Sequence, residues 1–457
     1  MNLLVKDKCF YKKMAVIAIP ISLQSMITIG VNMTDTVMVG KLGETSLSAT
    51  ALANQFVNIY QICCMGIAMG ASVLTSRFWG MQDITSLKKT ITLMLRLCIV
   101  LAVLFMLPTI LIPQLLMRMY TNDSAVIAQG VQYFKWMVYC YFLQGMTMTC
   151  TIVLRSVGQV NFPLFTSIGS FFVNILFNYM FIFGRLGVPR MEVEGAGVGT
   201  LIARVFEFSL ICGYFLFVDC KIGYRLKDLR MKCNSLIKDY VSISIPVFVS
   251  DSLLALGTSA VAMVMGRIGT GFVSANSITV VTQQLTTVII QGICHASCIM
   301  TGHTLGQGER EKAQQQAWTF LILGLVVGIL GGGLIKVLSR PIIGLYNITP
   351  ETAQIAGELM DAIAFIVIFQ SMNSILTKGV LRGGGDTKFP MVADIIFLWA
   401  ASLPLGILAG LVWHLDAFWI YVFLKIDQIC KSIWCVFRLR SGKWIKTFSK
   451  EKMNHAQ

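Results

Sequence analysis

Two copies of one pattern run through this chain, set about 226 residues apart. Pro20 answers to Pro246, and Gly40-Lys41-Leu42-Gly43 answers to Gly266-Arg267-Ile268-Gly269. Ser48-Ala49 falls on Ser274-Ala275, and Thr75 and Gly80 land on Thr301 and Gly306. After one extra residue in the second copy, Val153-Leu154-Arg155, Gly158 and Phe162-Pro163 return as Val380-Leu381-Arg382, Gly385 and Phe389-Pro390. Glycine and proline sit where a backbone turns or kinks, so their return at one spacing marks a duplicated fold rather than a shared composition.

What is duplicated is a set of apolar runs. Runs long enough to cross hydrocarbon occupy 14–39, 51–76, 90–117, 128–153, 162–184 and 195–218, then 238–264, 277–302, 315–337, 355–379, 390–412 and 416–437. Only 13% of the residues are charged, against about 25% in soluble domains. Backbone polar groups in lipid must be satisfied within the segment, so each run predicts a helix. The expected fold is an all-α membrane protein of twelve transmembrane helices in two six-helix lobes. Six is even, so both lobes enter from one side and the pseudo-two-fold axis lies along the membrane normal, an arrangement found in secondary transporters. The expected division is 1–218 for the first lobe, 219–237 for a basic linker, 238–437 for the second lobe and 438–457 for a basic tail.

A net charge of +15 would suggest nucleic acid in a soluble protein. Here the basic residues crowd into short connections, where they set orientation, so no nucleic-acid partner is expected. Both termini and the linker, with Lys221, Arg225, Lys227, Arg230 and Lys232, are placed on the cytoplasmic side of the membrane. The linker reads as a topology determinant and flexible tether, with an anionic-lipid surface as the alternative. The basic start before Met14 mimics a signal peptide, but the run to Val39 is long enough to span and is read as a retained first helix. The 13 cysteines lie mostly inside apolar runs, where a thiol behaves as a small hydrophobe, and imply no disulfide framework.

Against this apolar background a few polar residues are costly and therefore informative. Asp35 lies near the end of the first run. Asn174 and Asn178 are four apart and share a helix face. One carboxylate, two amide oxygens and the Thr200 hydroxyl make an oxygen-only set suited to a hard monovalent cation; a carboxyl in that setting also suits a proton. At the repeat offset Asp35 meets Val261, and Asn174 and Asn178 meet Ala401 and Leu405, so the duplication copies the scaffold and leaves these groups to one half. Asp251, five residues after Pro246, reads as a second candidate: a carboxylate facing a cavity, or a local partner of Lys378. Gln24, Gln283, Gln284, Gln370 and Asn373 are candidates to line a cavity, or to hydrogen-bond between helices. Tyr141 and Met146 offer an aromatic and adaptable wall. Arg204 and Glu207, three apart, read as a local pair. Asp361 and Asp394 are placed near span ends, within reach of water. Pro20 and Pro246 are expected to kink their helices. No metal cluster, nucleotide loop or nucleophile arrangement is present, so neither cofactor nor enzymatic activity is expected.

Pro20 followed by Asp35-Thr36, Asn174-x-x-x-Asn178, Gly195-Ala-Gly-Val-Gly-Thr200 and Leu381-Arg382-Gly-Gly-Gly385-Asp386-Thr387-Lys388 together resemble the multidrug and toxic compound extrusion (MATE) transporters. The resemblance covers nearly the whole chain. It implies export of organic compounds, usually cationic and often aromatic, in exchange for sodium ions or protons, by rocking of the two lobes of a monomer. It implies a cation site at Asp35, Asn174, Asn178 and Thr200, and bending at Pro20. Two positions depart from the family: several relatives carry a carboxylate in place of Asn178, and Leu254 and Ser371 stand where some members carry acidic residues in the second half. The alternative within the same superfamily is a flippase of lipid-linked saccharides, which calls for a strongly cationic cavity.

Overall fold

The computed structural model describes residues 4–185, 187–344 and 348–447. Among them the chain is helical throughout, with no strand. The first copy forms α1 (Lys8–Gly40), α2 (Glu44–Gly80), α3 (Ile84–Leu111), the short α4 (Pro113–Arg118), α5 (Ser124–Ser156), α6 (Asn161–Phe183) and α7 (Glu192–Gly213). The second forms α8 (Asn234–Ile268), α9 (Thr270–Gly306), α10 (Arg310–Ile343), α11 (Pro350–Ser374), α12 (Lys388–Asp394), α13 (Leu403–Ile407), α14 (Ala417–Leu424) and α15 (Ile426–Arg440). Wider π-helical turns at 375–381 and 395–402 continue α11 and α12 without a break in direction of the chain. Eleven stretches have the length and apolarity to cross a membrane. The twelfth expected span is divided: α14 ends at Leu424 and α15 restarts at Ile426 after Lys425, with the Leu424 carbonyl accepting from Ser402 Oγ at 2.5 Å.

The duplication holds at the level of backbone angles. Gly158 and its mate Gly385 both take a left-handed φ, 82° and 85°, and Gln82 and its mate Gly308 take 58° and 81°. These turns carry the chain between helices where an L side chain is strained.

Two compact units form, and they do not follow the order of the sequence. One contains Leu23–Ser244, the other Met1–Ser22 with Ile245–Gln457. The boundaries expected in the linker fall instead inside α1 and α8, next to Pro20 and Pro246. The reason lies in the packing partners of each half-helix. In the larger-numbered unit, Val5 N donates to Thr319 Oγ1 at 3.0 Å, Phe10 packs on Phe320 at 5.3 Å between ring centres, and Gly292 leaves room for the Ala18 carbonyl and the Ser22 hydroxyl. In the other, Tyr240 donates to the Ile67 carbonyl at 2.6 Å, and Gly70 makes room for Ser244.

The linker is folded, not a free tether. Gln159 Nε2 donates to Asp219 at 2.8 Å, Thr92 Oγ1 and Tyr224 OH lie 2.9 Å apart, and Arg96 donates to the carbonyls of Leu229 and Met231. Lys88 joins the Gly223 carbonyl and the Asp228 carboxylate at 2.5 and 2.9 Å. Burial pushes the Asp228 carboxyl up, but the Lys88 ammonium and the Arg225 backbone N–H outweigh it and hold the group below its usual range. The segment after α15 closes the other unit in a related way. Trp444 is fully buried, donates to Gln314 Oε1 at 2.7 Å and lies against Gly384, while Arg438 pairs with Asp386 at 2.7 Å. Lys88 and Gln314 are repeat mates, so each copy grips the segment that follows its last helix through the same position. The rest of the basic tail, beyond Thr447, lies outside the described residues.

The larger-numbered unit also buries an ionic chain. Lys431 Nζ stands 2.8 Å from Asp394 and 2.9 Å from Asp427, and all three side chains are at most 7% exposed. Ser250 Oγ donates to the second oxygen of Asp394, and Gln428 donates through Nε2 to Asp427 at 2.7 Å and accepts through Oε1 from Asn373 Nδ2 at 2.9 Å. Asp394 is therefore remote from water, contrary to its expected place at a span end. The reason is that α15 carries a lysine to it.

Candidate functional site

A cavity of about 360 Å³ lies within the unit 23–244, walled by α1, α2, α5, α6 and α7. Its position follows from how α6 and α7 meet. α6 ends at Phe183, Gly184 after it takes a left-handed φ of 66°, and Met191 N donates to the Phe181 carbonyl at 2.9 Å where the chain enters α7. Gly195 faces the Phe181 backbone so closely that an added Cβ would fall 2.6 Å from its carbonyl oxygen, and a Cβ on Gly199 would collide with the Asn178 amide. This glycine edge brings the buried asparagine face of α6 against α7.

Asn174 and Asn178 are 3% and 1% exposed. Asn178 Nδ2 donates to Asp35 Oδ1 at 2.7 Å and to Asn174 Oδ1 at 3.2 Å. Both amide protons are then engaged, and turning the amide over would set its oxygen against a carboxylate, so the orientation is fixed by chemistry. Asn178 Oδ1 is left buried without a hydrogen-bond partner. Such an acceptor costs about 1–3 kcal/mol unless a cation or donor meets it. Asp35, Asn174 and Thr200 face the cavity, and Asn178 lies behind them. The four residues expected together from sequence are thus brought together, three at the cavity and Asn178 behind them. Gly199→Ala is expected to force the α6–α7 edge apart and cost about 1–3 kcal/mol of stability. Thermal unfolding in detergent reads this directly; an unchanged transition refutes the clamping role of that edge.

Several lining groups escaped the sequence reading. Asn54, Asn58 and Gln61 line the cavity from α2, and Tyr133 OH donates to Asn54 Oδ1 at 3.3 Å. Their spacing of four and three was the available signal, a polar stripe on an otherwise apolar helix. Arg204 and Glu207, read as a local pair, are paired at 2.8 Å, and both line this cavity.

The remaining candidates fall elsewhere. Gln24 accepts from Arg155 Nη2 and donates to Ser167 Oγ at 2.7 Å, so it ties α1 to α5 and α6. Tyr141 is fully buried in an aromatic cluster, 5.0 Å from Tyr60, rather than on the cavity wall, and Met146 is not on that wall either. In the other unit Asp251 pairs with Arg382, at 2.7 and 3.4 Å through two nitrogens, and not with Lys378. The buried guanidinium supplies the neutralisation that a free cavity carboxylate would lack. Gln370 accepts from Gln283 at 2.7 Å, Asn373 joins Gln428, and Gln284 is exposed. Pro20 and Pro246 lie within continuous α1 and α8.

The sequence model of the MatE family matches residues 20–180 and 246–429, one match in each copy. The probable multidrug resistance protein NorM of Thermotoga maritima is 24% identical over 441 residues, covering 95% of this chain and 93% of that protein. The uncharacterized transporter YisQ of Bacillus subtilis is 25% identical over 419 residues, 90% of each chain. Among solved structures, a variant of the Vibrio cholerae MATE transporter VcmN superposes with a TM-score of 0.86 at 16% identity, covering 95% of this chain and 97% of that one. A MATE structure in the straight conformation gives 0.85 at 18% identity, over 94% and 96%.

Proposed function

The chain belongs to the MatE family of membrane transporters, and from that premise we propose that it is an antiporter exporting organic, cationic or aromatic compounds in exchange for sodium ions or protons. The observation that carries this reading is the Asp35–Asn178–Asn174 array on a cavity wall, with one amide oxygen buried and unpartnered. Its acceptor atoms are all oxygens, and it holds a single negative charge, which suits a hard monovalent cation. Asn178 orients the Asp35 carboxylate; Asn174 and Thr200 offer further oxygens from α6 and α7. Asp35 takes the coupling cation from the outer side, and its occupancy lowers affinity for the exported compound. Such antagonism requires the two ligands to favour different conformations, since equal affinity shifts no population. Pro20, beside a unit boundary inside α1, is the proposed bend in that exchange. The orientation we propose keeps both termini in the cytoplasm of a bacterial cell, with a monomer as the working form.

The saccharide flippase is disfavoured by the cavity itself. Its charged lining groups are Asp35, Glu207 and Arg204, which is the wrong sign for a pyrophosphate. Export of ethidium from proteoliposomes under an imposed sodium or proton gradient tests the proposal. One of the two gradients is expected to drive export; failure of both rejects it.

A further inference from the structure

α7 presents Thr200, Arg204 and Glu207 to the cavity, at spacings that share one helix face. At 1.5 Å per residue Glu207 lies about 10 Å along the axis from Thr200, so the wall carries two separate charged stations. One is Asp35 with its amides; the other is Glu207, paired through Oε2 with Arg204 Nη1 at 2.8 Å. Arg204 also lies within electrostatic reach of Asp35, from the next turn of α7 after Thr200. Its side chain is 31% exposed and that of Glu207 is 14% exposed, so the pair borders open space rather than sealed protein. Arg204 spends one of five N–H donors on Glu207.

The lining charges are two carboxylates and one guanidinium, a net of one negative charge. In a low-dielectric surround, a net charge left unmatched is expensive. The cavity therefore balances one added cation at a time, and the position of Arg204 decides where. With Arg204 on Glu207, the uncovered carboxylate is Asp35. With Arg204 turned to Asp35, the uncovered carboxylate is Glu207.

We propose that Glu207 receives the charged end of an organic cation, and that Arg204, moving between Glu207 and Asp35, makes binding of that cation and of the coupling cation mutually exclusive. The inference rests on the reading of Asp35 as the coupling site and supplies the antagonism that reading requires. Phe171 and Met137 on the same wall offer apolar contact to the body of the ligand. Arg204 acts here as a positioning residue and Glu207 as a specificity-determining one.

The test uses the purified full-length chain in detergent, with tetraphenylphosphonium as a cation that cannot titrate. Calorimetry gives its affinity, and a pH indicator and a sodium electrode give cation release on binding. Wild type is expected to release one cation. Glu207→Gln is expected to weaken tetraphenylphosphonium about ten-fold, the loss of one charge-assisted contact. Arg204→Gln is expected to bind it about ten-fold more tightly while releasing no cation, because the cavity then holds two unmatched carboxylates. Arg204→Lys keeps the charge and is expected to restore release. Unchanged affinity in Glu207→Gln overturns the subsite, and full release from Arg204→Gln overturns the switch. Failure of the Asp35 reading has another signature: wild type releases neither ion while Glu207→Gln still weakens tetraphenylphosphonium, and that result overturns the switch together with its premise. Thermal unfolding of each variant guards against misfolding, and Asp35→Asn, which leaves Arg204 no second carboxylate to turn to, is expected to weaken tetraphenylphosphonium about as much as Glu207→Gln does and to release no cation.

Discussion

Asp35→Asn is expected to lower gradient-driven export by about 100-fold or more, the loss of a charged ligand from a site otherwise built of amides and a hydroxyl. The substitution is nearly isosteric. Asn178 Nδ2 can still donate to the remaining oxygen at position 35, now 2.7 Å from the carboxylate, so the wall of the cavity keeps its shape. What disappears is the charge that pays for bringing a cation out of water. Binding of an organic cation is expected to fall as well, by about ten-fold, since Arg204 then has no second carboxylate to turn to and keeps Glu207 covered. Export of ethidium from proteoliposomes, compared with its binding in detergent, shows how far the loss of export exceeds the loss of binding. Equal export by variant and wild type would reject coupling at Asp35.

The second large effect concerns stability, in the other unit. Lys431→Met is expected to cost about 3–5 kcal/mol, because removing the shared cation strands two carboxylates in a site remote from water. That is a sizeable part of the roughly 5–15 kcal/mol that holds a typical domain folded. Asp394 and Asp427 are each within 2.9 Å of the ammonium, and Asp427 Oδ1 already lacks a hydrogen-bond partner, so both carboxylates lose their contacting counter-charge at once. Adding Asp394→Asn and Asp427→Asn to the variant is expected to recover much of the loss, since neutral amides do not repel one another. Fluorescence-detected thermal unfolding checks both steps. A Lys431→Met transition within a degree of wild type would show the chain of charges to be dispensable.

Sequence carried the helices and half of the site. Hydropathy located eleven of the spans because a bilayer leaves the backbone no other choice, and Asp35, Asn174 and Asn178 stood out because amides and carboxylates are costly there. The pairing of Arg204 with Glu207 was legible from their spacing of three. Its exposure to the cavity was not, since that depends on how α7 is rotated against four other helices. For Asp251 the alternative partner Lys378 named the right helix and missed by one turn, since the ion pair is with Arg382 four residues on. Asp394 was given the wrong surroundings because its counter-ion, Lys431, comes from another helix, and no local spacing encodes which helices are neighbours. The linker's basic composition suggested freedom, whereas the side chains that hold it, Thr92 and Arg96, sit more than 130 residues away on α3.

The exchange of half-helices between units has a consequence for biosynthesis. The stretch before Leu23 emerges from the ribosome well ahead of its partners, Gly292, Thr319 and Phe320, which lie some 270 to 315 residues further along. The beginning of α1 must therefore remain unpartnered while nearly three hundred residues are threaded into the membrane, its proline allowing the two ends of one helix to settle at different times. A gene cut at the linker would yield two products that each carry a stub belonging to the other. Neither is expected to mature alone, and co-expression of both is expected to be required for either to escape degradation.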